Sequence, residues 1–322
     1  MPEGPPCLPY EAKYGMSARI SVITATRNRR LYLERAIESV LAQQDRDVEH
    51  IVVDGMSTDG TEELLARYPH LVVVREPDSG VYEAWNKGLR LASGEIVCLL
   101  NSDDEIPKGT FARIRNAMSL NPGVEIISGA VEIDTEGAGT EADVEKRLVD
   151  DERILSLREQ DIGPGIPITN GRYLARSFFA RVGPLDERYR LVSDRDFLLR
   201  ALLLRPKHVW IRDAVYRYHA HAGSLTLSGH SAQQGLAQES LLASRSGLRE
   251  SRAPQQKAAY RRWHAWALFY VMLQQVLRRD LAAALGTARS GFGLDPLWPL
   301  RVPVPLWRHW IERKSRRGRV VG

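Results

Sequence analysis

Short apolar strands alternate with amphipathic helices over the first hundred residues, and this alternation constrains the fold more than any other feature. Strands that are apolar on both faces and alternate with helices are typical of parallel sheets covered on both sides. The pattern predicts an α/β protein with a doubly wound, mostly parallel sheet. The predicted strands are 19–24, 50–53, 71–74 and 95–100, and the predicted helices are 31–43, 58–68 (capped by Thr58 or Asp59) and 81–92.

The rest of the chain is less regular and predicts three regions. Residues 1–17 are rich in proline and without period, so we expect a disordered leader. The α/β domain is expected over 18–225 and a helical, basic extension over 226–322. Within the second half of the α/β domain we expect helices at 111–120 and 197–204, strands at 124–133 and 209–219, and an acidic loop or lid at 135–151.

Composition limits the class of protein. Cys7 and Cys98 are the only cysteines, too few for a disulfide framework or a four-cysteine zinc site, so a reducing, cytoplasmic location is expected. The longest later apolar run, 266–273, is too short to cross a bilayer. From Ser244 onward there are 16 Lys/Arg against 4 Asp/Glu, whereas the preceding part is acidic. The acidic body argues against nucleic-acid binding, and the basic end could face an anionic membrane or only water.

Polar and acidic residues follow each of the four predicted strands. Ligands of open α/β sheets bind beyond the carboxyl ends of the strands, where turn chemistry alone also enriches Asp, Gly, Ser and Asn. No glycine-rich dinucleotide or phosphate loop is present. The adjacent acids Asp103 and Asp104 predict a divalent cation that bridges to a diphosphate, although either could instead cap the next helix. The four strand ends are 24–28, 54–60, 75–80 and 101–104.

Five ordered blocks resemble the family 2 glycosyltransferases. The resemblance implies a GT-A fold, a nucleotide-sugar donor, a Mg²⁺ or Mn²⁺ cofactor and inversion at the anomeric carbon, and it is nearest to bacterial exopolysaccharide and lipopolysaccharide transferases. One departure is Ser102, which stands where a strict Asp-x-Asp motif has its first acid. The blocks are ISVITATRN (20–28), VDGMSTDGT (53–61), DSGVYEAWNKG (78–88), ASGE (92–95) and LLNSDD (99–104).

The same resemblance implies roles for individual residues. Asp54 would hydrogen-bond the base, where a carboxylate suits the imide N–H of uracil or thymine and so favours UDP- or dTDP-linked donors. Asp103 would face the ribose or the donor sugar, and Asp104 would bind the metal. The full set of expected donor-binding residues is Thr24, Thr26, Arg27, Asp54, Ser57, Asp78, Asn86 and Asp103.

Direct displacement with inversion also needs a general base. The segment 192–198 resembles the acidic motif that supplies it, with Asp194 as the expected base and Asp196 in reserve; Ser193 or Asp194 could equally serve as a helix N-cap. The run 216–226 resembles the closing block of the family. There His219 or His221 would be a further metal ligand or a diphosphate contact, unless it is simply a solvated loop histidine.

Other classes of function remain open on the sequence. A catalytically inactive GT-A scaffold is disfavoured by the intact acids at 54, 103, 104 and 194. A nucleotidyltransferase is disfavoured because the loop 24–30 has no glycine. The acceptor, a saccharide or a lipid-linked saccharide, would be selected by 124–190, in which 163–172 is expected to shape the acceptor side. The basic C-terminal part is expected to form helices that touch the membrane surface, or to complete the core or a homodimer.

Overall fold

The computed structural model describes residues 18–135, 147–149, 169–221 and 230–301. Its internal contacts divide the chain into two compact units. The described part of the first unit is 18–135, 147–149, 169–187 and 206–220, and that of the second is 188–205, 221 and 230–301.

An eight-stranded sheet forms the first unit. Its order is β3-β2-β1-β4-β7-β5-β6, and β8 pairs with β5. The pairs within β3-β2-β1-β4 and the pair β5–β8 are parallel, whereas β7 and β6 pair antiparallel to their neighbours. This mixed but mostly parallel sheet confirms the predicted α/β class. The strands are β1 Ile20–Thr26, β2 Val48–Asp54, β3 Val72–Arg75, β4 Ile96–Asn101, β5 Ile126–Thr135, β6 Arg147–Val149, β7 Arg172–Ala175 and β8 His208–Ala220.

Helices connect the parallel strands and cover them with apolar faces. On α1, Leu33, Ile37 and Val40 are buried at the helical spacing that the sequence predicts, and Leu33 and Ile37 pack with Val52 of β2. Strands β1, β2 and β4 are buried along almost their whole length, as expected for strands covered on both faces. The helices of this unit are α1 Arg30–Leu41, α2 Thr61–Leu65, α3 Val81–Leu91, α4 Thr110–Leu120 and α5 Arg176–Val182.

Several elements differ from the sequence-based expectation, among them helix α5, which was not predicted. The helix expected at 58–68 is only α2, because Asp59 accepts hydrogen bonds from the amide and hydroxyl of Thr61 and Gly60 adopts a left-handed φ of 86°. Strand β6 lies within the expected loop 135–151. Strand β7 was not predicted, since its pairing with β4 and β5 comes from residues far away in sequence.

Four helices make up the described part of the second unit. Trp263 lies at the centre of their apolar core and contacts a cluster that includes Val192, Leu199 and Ala259. Helix α6 begins at Ser193, four residues before the expected start, and its N-cap position is Val192, so neither Ser193 nor Asp194 is the cap. These helices are α6 Ser193–Leu203, α7 His230–Glu250, α8 Pro254–Leu277 and α9 Leu281–Leu294, followed by a 3₁₀ turn Trp298–Arg301.

Several expectations fall outside the described residues: the leader 1–17, most of the acidic stretch 135–151, most of 163–172 and the basic end 302–322. The domain limits at 17 and 225 stay predictions. Within the described residues, no helix combines the length and the apolar character needed to cross a bilayer.

Candidate active site

Strand register gathers the predicted motifs at the carboxyl edge of the parallel half-sheet. Thr26 of β1 lies beside Asp54 of β2, and Asp54 lies beside Arg75 of β3. On the other side of β1, Ala25 is paired with Asn101 of β4. Adjacent strands are about 4.8 Å apart, so the loops that follow these four strands form one continuous rim.

Asp54 is the buried anchor of this rim. Its carboxylate is fully buried and accepts hydrogen bonds from the Ser57 amide (3.0 Å), the Ser57 hydroxyl (2.5 Å) and Arg75 Nε (3.1 Å). Arg75 also donates to the Ser57 carbonyl at 3.0 Å. A buried charge is tolerated when it is paired and hydrogen-bonded in this way. Both carboxylate oxygens of Asp54 therefore accept hydrogen bonds from Ser57 and Arg75, and the side chain has no exposed surface that a nucleotide base could contact.

The loops after β1 and β2 are joined through Asn28 and Ser57. The Asn28 amide donates to Ser57 Oγ at 2.8 Å, and Asn28 Oδ1 accepts from the Thr58 amide at 2.9 Å. Asn28 and Met56 have φ values of 52° and 61°, a left-handed conformation that is uncommon for residues other than glycine. Such backbone strain is maintained by surrounding contacts and often occurs at functional loops.

Asp78 follows β3 and lies against the backbone of Gly55. A Cβ atom at Gly55 would come within 2.4 Å of Asp78 Oδ2, so only glycine allows this approach. Burial raises the pKa of Asp78 above its ordinary value, and the positive charges of Lys87 and Arg27 lower it in part. Asp78 is half-buried and Arg27 is exposed, so both can reach a ligand at the rim.

Lys87 on α3 holds the loop that carries Asp78. Its Nζ donates to the Pro77 carbonyl at 2.5 Å and lies 3.2 Å from Glu76 and 3.1 Å from Glu83. The DSGVYEAWNKG block therefore contains both Asp78 and the lysine, Lys87, that holds the loop in front of it.

Three predicted donor contacts point into the protein instead. Thr24 is fully buried and its hydroxyl lies 2.9 Å from His50 Nε2. Thr26 is also buried, and its Oγ1 has no hydrogen-bond partner among the described residues. Asn86 donates to the Leu185 carbonyl and to Glu187 Oε1, both at 2.8 Å, and accepts from the Leu185 amide at 3.0 Å. Asn86 thus clamps a distant segment of the first unit onto α3.

The two acids after β4 occupy different environments. Asp103 is half-exposed, and its carbonyl oxygen accepts from Arg35 at 3.1 Å. Asp104 is fully buried and accepts from the Tyr216 hydroxyl (2.7 Å), Asn101 Nδ2 (2.8 Å) and the His219 amide (2.9 Å). Burial, and then the charge of Asp103, raise the pKa of Asp104 to about 7 despite these hydrogen bonds.

The ring of His219, one of the two predicted histidines, lies beside Glu105 and Asp134. His219 is buried on β8, with Nε2 3.1 Å from Glu105 Oε1 and Nδ1 3.9 Å from Asp134 Oδ2. Arg217 binds the same Glu105 at 2.9 Å. His221 lies just past the end of β8. Of the described residues in this block, Tyr216 reaches Asp104 through its side-chain hydroxyl and His219 reaches it through its backbone amide.

The predicted metal ligands, Asp103, Asp104 and the histidines, fit a divalent cation only in part. No three His, Cys, Asp or Glu side chains are grouped to hold a metal ion anywhere in the chain segments described above. Asp104 already gives both carboxylate oxygens to protein donors, which disfavours the direct role predicted for it. Mg²⁺ commonly uses only one or two carboxylates together with substrate phosphates, and the half-exposed Asp103 can supply one.

The two candidate bases of the second unit also differ. Asp194, half-buried in the first turn of α6, accepts from the Arg195 amide at 2.8 Å. Asp196 is buried, accepts from the Tyr260 hydroxyl at 2.5 Å and forms an ion pair with Arg200 at 2.9 Å. Asp196 is therefore a buried residue that bonds within the core of the second unit, whereas Asp194 lies nearer the surface.

Sequence reasoning missed the partners that hold these acids: Arg75, Tyr216, Lys87 and Tyr260. Arg75 could have been found, because its position at the end of a parallel strand places it beside Asp54. Tyr216 and Tyr260 contact acids that are far away in sequence, so no local pattern points to them.

A parallel half-sheet with paired acids after its fourth strand, and an anchored acid at the end of its second, agrees with the GT-A fold that the resemblance implies. The model of glycosyl transferase family 2 matches residues 21–178. An uncharacterized glycosyltransferase of Mycobacterium tuberculosis is 31% identical over 194 residues, which cover 58% of this chain and 69% of that protein. A PGL/p-HBAD biosynthesis glycosyltransferase of Mycobacterium bovis is 28% identical over 202 residues, covering 59% and 73%. The chain belongs to glycosyl transferase family 2.

Solved structures show the same fold. TarS residues 1–349 of S. aureus in complex with UDP-GlcNAc has a TM-score of 0.60 at 18% identity, covering 88% of this chain and 82% of that one. The mannosyltransferase PcManGT of Pyrobaculum calidifontis in complex with GDP-Man and Mn²⁺ has a TM-score of 0.55 at 22% identity, covering 89% and 83%. The chain spans 43% of a longer TarS chain. The predicted family, fold class and enzyme class are confirmed.

Proposed function

We propose that this glycosyltransferase moves a sugar, with inversion, from a nucleoside-diphosphate sugar to a saccharide or lipid-linked acceptor in cytoplasmic synthesis of a surface polysaccharide. The observation that carries the proposal is the shared rim: the anchored Asp54 and the half-exposed Asp78 and Asp103 lie at the carboxyl ends of β2, β3 and β4 in one parallel half-sheet. The relatives described above, which include a biosynthetic glycosyltransferase, support the same class of reaction.

Donor recognition is assigned to the groups that a ligand can reach. Asp54 keeps Ser57 and Arg75 in place, so the imide N–H of a uracil or thymine base is better served by Asp78, which is half-buried beside Gly55. A carboxylate accepts that N–H and would repel a base that presents only acceptors. Exposed Arg27 is close enough to influence the charge of Asp78 and suits a phosphate oxygen.

Asp103 is the residue that would hold a Mg²⁺ or Mn²⁺ ion. Such an ion, when bound, neutralises charge on the diphosphate leaving group. Asp104 acts through hydrogen bonds: its contacts to Asn101, Tyr216 and the His219 amide fix the backbone of the acid pair. The direct metal role of Asp104 and of either histidine stays a prediction.

Asp194 is assigned as the general base that accepts the proton of the acceptor hydroxyl. A carboxylate in the first turn of a helix is kept ionised by the helix dipole, which suits a base. Asp196 is the weaker candidate for proton transfer, because its carboxylate already binds Tyr260 and Arg200.

The test uses Asp194→Asn and Asp196→Asn as a matched pair. The purified protein is incubated with Mn²⁺, an acceptor extract and UDP-, dTDP- or GDP-sugars, and the released nucleoside diphosphate is measured. We expect Asp194→Asn to lower turnover about 10²- to 10⁴-fold with donor affinity unchanged, because a base acts in the chemical step. Asp196→Asn should mainly lower stability.

The outcomes separate the alternatives. Turnover lost in Asp196→Asn but kept in Asp194→Asn would reverse the assignment. Tight nucleotide-sugar binding without any release would indicate an inactive scaffold, and release of pyrophosphate from a sugar phosphate and a nucleoside triphosphate would indicate a nucleotidyltransferase.

A further inference from the structure

The end of the second unit leaves a row of large apolar side chains uncovered. The row begins at the end of α8 and continues along α9 and the 3₁₀ turn. Leu281 and Leu285 are each 61% exposed, and Leu300 is 82% exposed. A contiguous exposed apolar area usually marks an interaction site. We call this row the apolar face; it consists of Leu277, Leu281, Leu285, Phe292, Leu297 and Leu300.

Helix α9 is oriented so that its small residues face inward and its large ones face outward. Its buried residues are Ala284 and Gly291. A Cβ atom at Gly291 would lie 2.7 Å from Trp298 Nε1 and 2.8 Å from a Leu268 methyl, so the helix packs closely through its smallest residue. Leu281, Leu285 and Phe292 share the neighbouring stripe of the helix and are exposed, and the half-exposed Phe292 ring also meets Trp298 edge to face with ring centroids 5.9 Å apart. This is the reverse of an ordinary surface helix, in which the large apolar residues face the core.

Positive charges outnumber negative ones beside the apolar face. Arg278, Arg279 and Arg289 are exposed. Two acids lie in the described part of this region: Asp280, which is exposed and caps α9 by accepting from the Ala283 amide, and Asp295, which is buried and paired with Arg301 at 2.5 Å. The chain continues past Arg301 for 21 residues that hold six Lys/Arg and one acid.

We propose that the apolar face docks on an anionic lipid surface, with its leucines entering the headgroup boundary and its arginines contacting the headgroups. Exposed apolar residues flanked by cations are typical of interfacial helices, and each Lys or Arg near such a surface strengthens binding about fivefold. A second copy of the chain fits this face less well, because symmetric pairing would bring the same arginines together. The inference is independent of the proposed reaction, since lipid binding needs no sugar donor.

Sedimentation of the full chain with vesicles tests the proposal. Vesicles of phosphatidylcholine alone are compared with vesicles that also contain phosphatidylglycerol, at low and high salt. We expect binding to the anionic vesicles only, weakened by salt. Leu281→Ser with Leu285→Ser should weaken it about tenfold or more, and Arg278→Ala with Arg279→Ala should weaken it about 25-fold.

A matched control is Leu91→Ser with Leu120→Ser, which removes two exposed leucines of the first unit and should leave binding unchanged. The proposal is overturned if no vesicle binds, if neutral vesicles bind equally, or if the Leu281/Leu285 variant binds as well as wild type. Loss of binding only on deletion of 302–322 would assign the contact to the tail. A dimer that the Leu281/Leu285 variant abolishes, measured by sedimentation velocity without lipid, would assign the face to a second copy.

Discussion

The buried carboxylate of Asp104 makes the stability of this protein depend on pH in a direction opposite to that of most acids. In the folded chain, burial and the neighbouring Asp103 raise its pKa from 3.8 to about 7. The folded state therefore keeps a proton that the unfolded state has already released. The stability that this group contributes is fully present below about pH 4 and is lost as the pH rises to 7.

The size of the effect follows from the two pKa values. Each pH unit of separation corresponds to about 1.4 kcal/mol, so the group costs about 4 kcal/mol of stability at pH 8 relative to its protonated form. Asp104→Asn fixes the site in a neutral form of the same size. It leaves at least one of the four donors, Tyr216, Asn101, Asn170 and the His219 amide, without an acceptor, at a cost of about 1–3 kcal/mol.

We expect the stability of Asp104→Asn relative to wild type to rise by about 3 kcal/mol between pH 5 and pH 8. Urea unfolding at several pH values, in EDTA so that no cation competes for the carboxylate, measures the difference. Glu49→Gln is the control, because hydrogen bonds from Ser21, Ser93 and Gly94 overcome burial and hold the pKa of Glu49 below its usual range. Its deficit should be constant from pH 5 to 8. A constant difference between wild type and Asp104→Asn over the same range would refute the reasoning.

Two further changes test the loops of the rim. Gly55→Ala should displace the Asp78 carboxylate, because that carboxylate lies where the new Cβ would be, and so weaken the binding of a UDP-sugar with little loss of stability. In an Asp78→Ala background the same change should not weaken UDP-sugar binding further, which calorimetry can measure. Asn86→Ala should destabilise the protein by about 2–4 kcal/mol in urea unfolding, because it leaves the buried Leu185 amide and carbonyl without their Asn86 partners. Equal urea midpoints for variant and wild type would show that the Asn86 hydrogen bonds to Leu185 are dispensable for stability.

The sequence predicts the parallel half of the sheet well because the signals there are local. The apolar runs and helical spacings of 20–101 place β1 to β4 within two residues of their observed ends. Strand β7 escapes prediction because its partners, Ile96 and Ile126 among them, are far from it along the chain. The same reason explains the site: acids at strand ends can be read from motifs, whereas the burial of Asp54 and Asp104 depends on Arg75 and Tyr216, which come from other strands.

The position of β7 between β4 and β5 has a consequence for synthesis of the chain on the ribosome. Strands β1 to β4 are contiguous in sequence and can pair as soon as Asn101 has emerged, but the outer edge of β4 has no partner until Arg172–Ala175 arrives. During that interval β4, which is apolar on both faces, is an open edge of the kind that recruits strands from other molecules. Fragments that stop before residue 172 should therefore aggregate, and expression trials should place any C-terminal boundary beyond it.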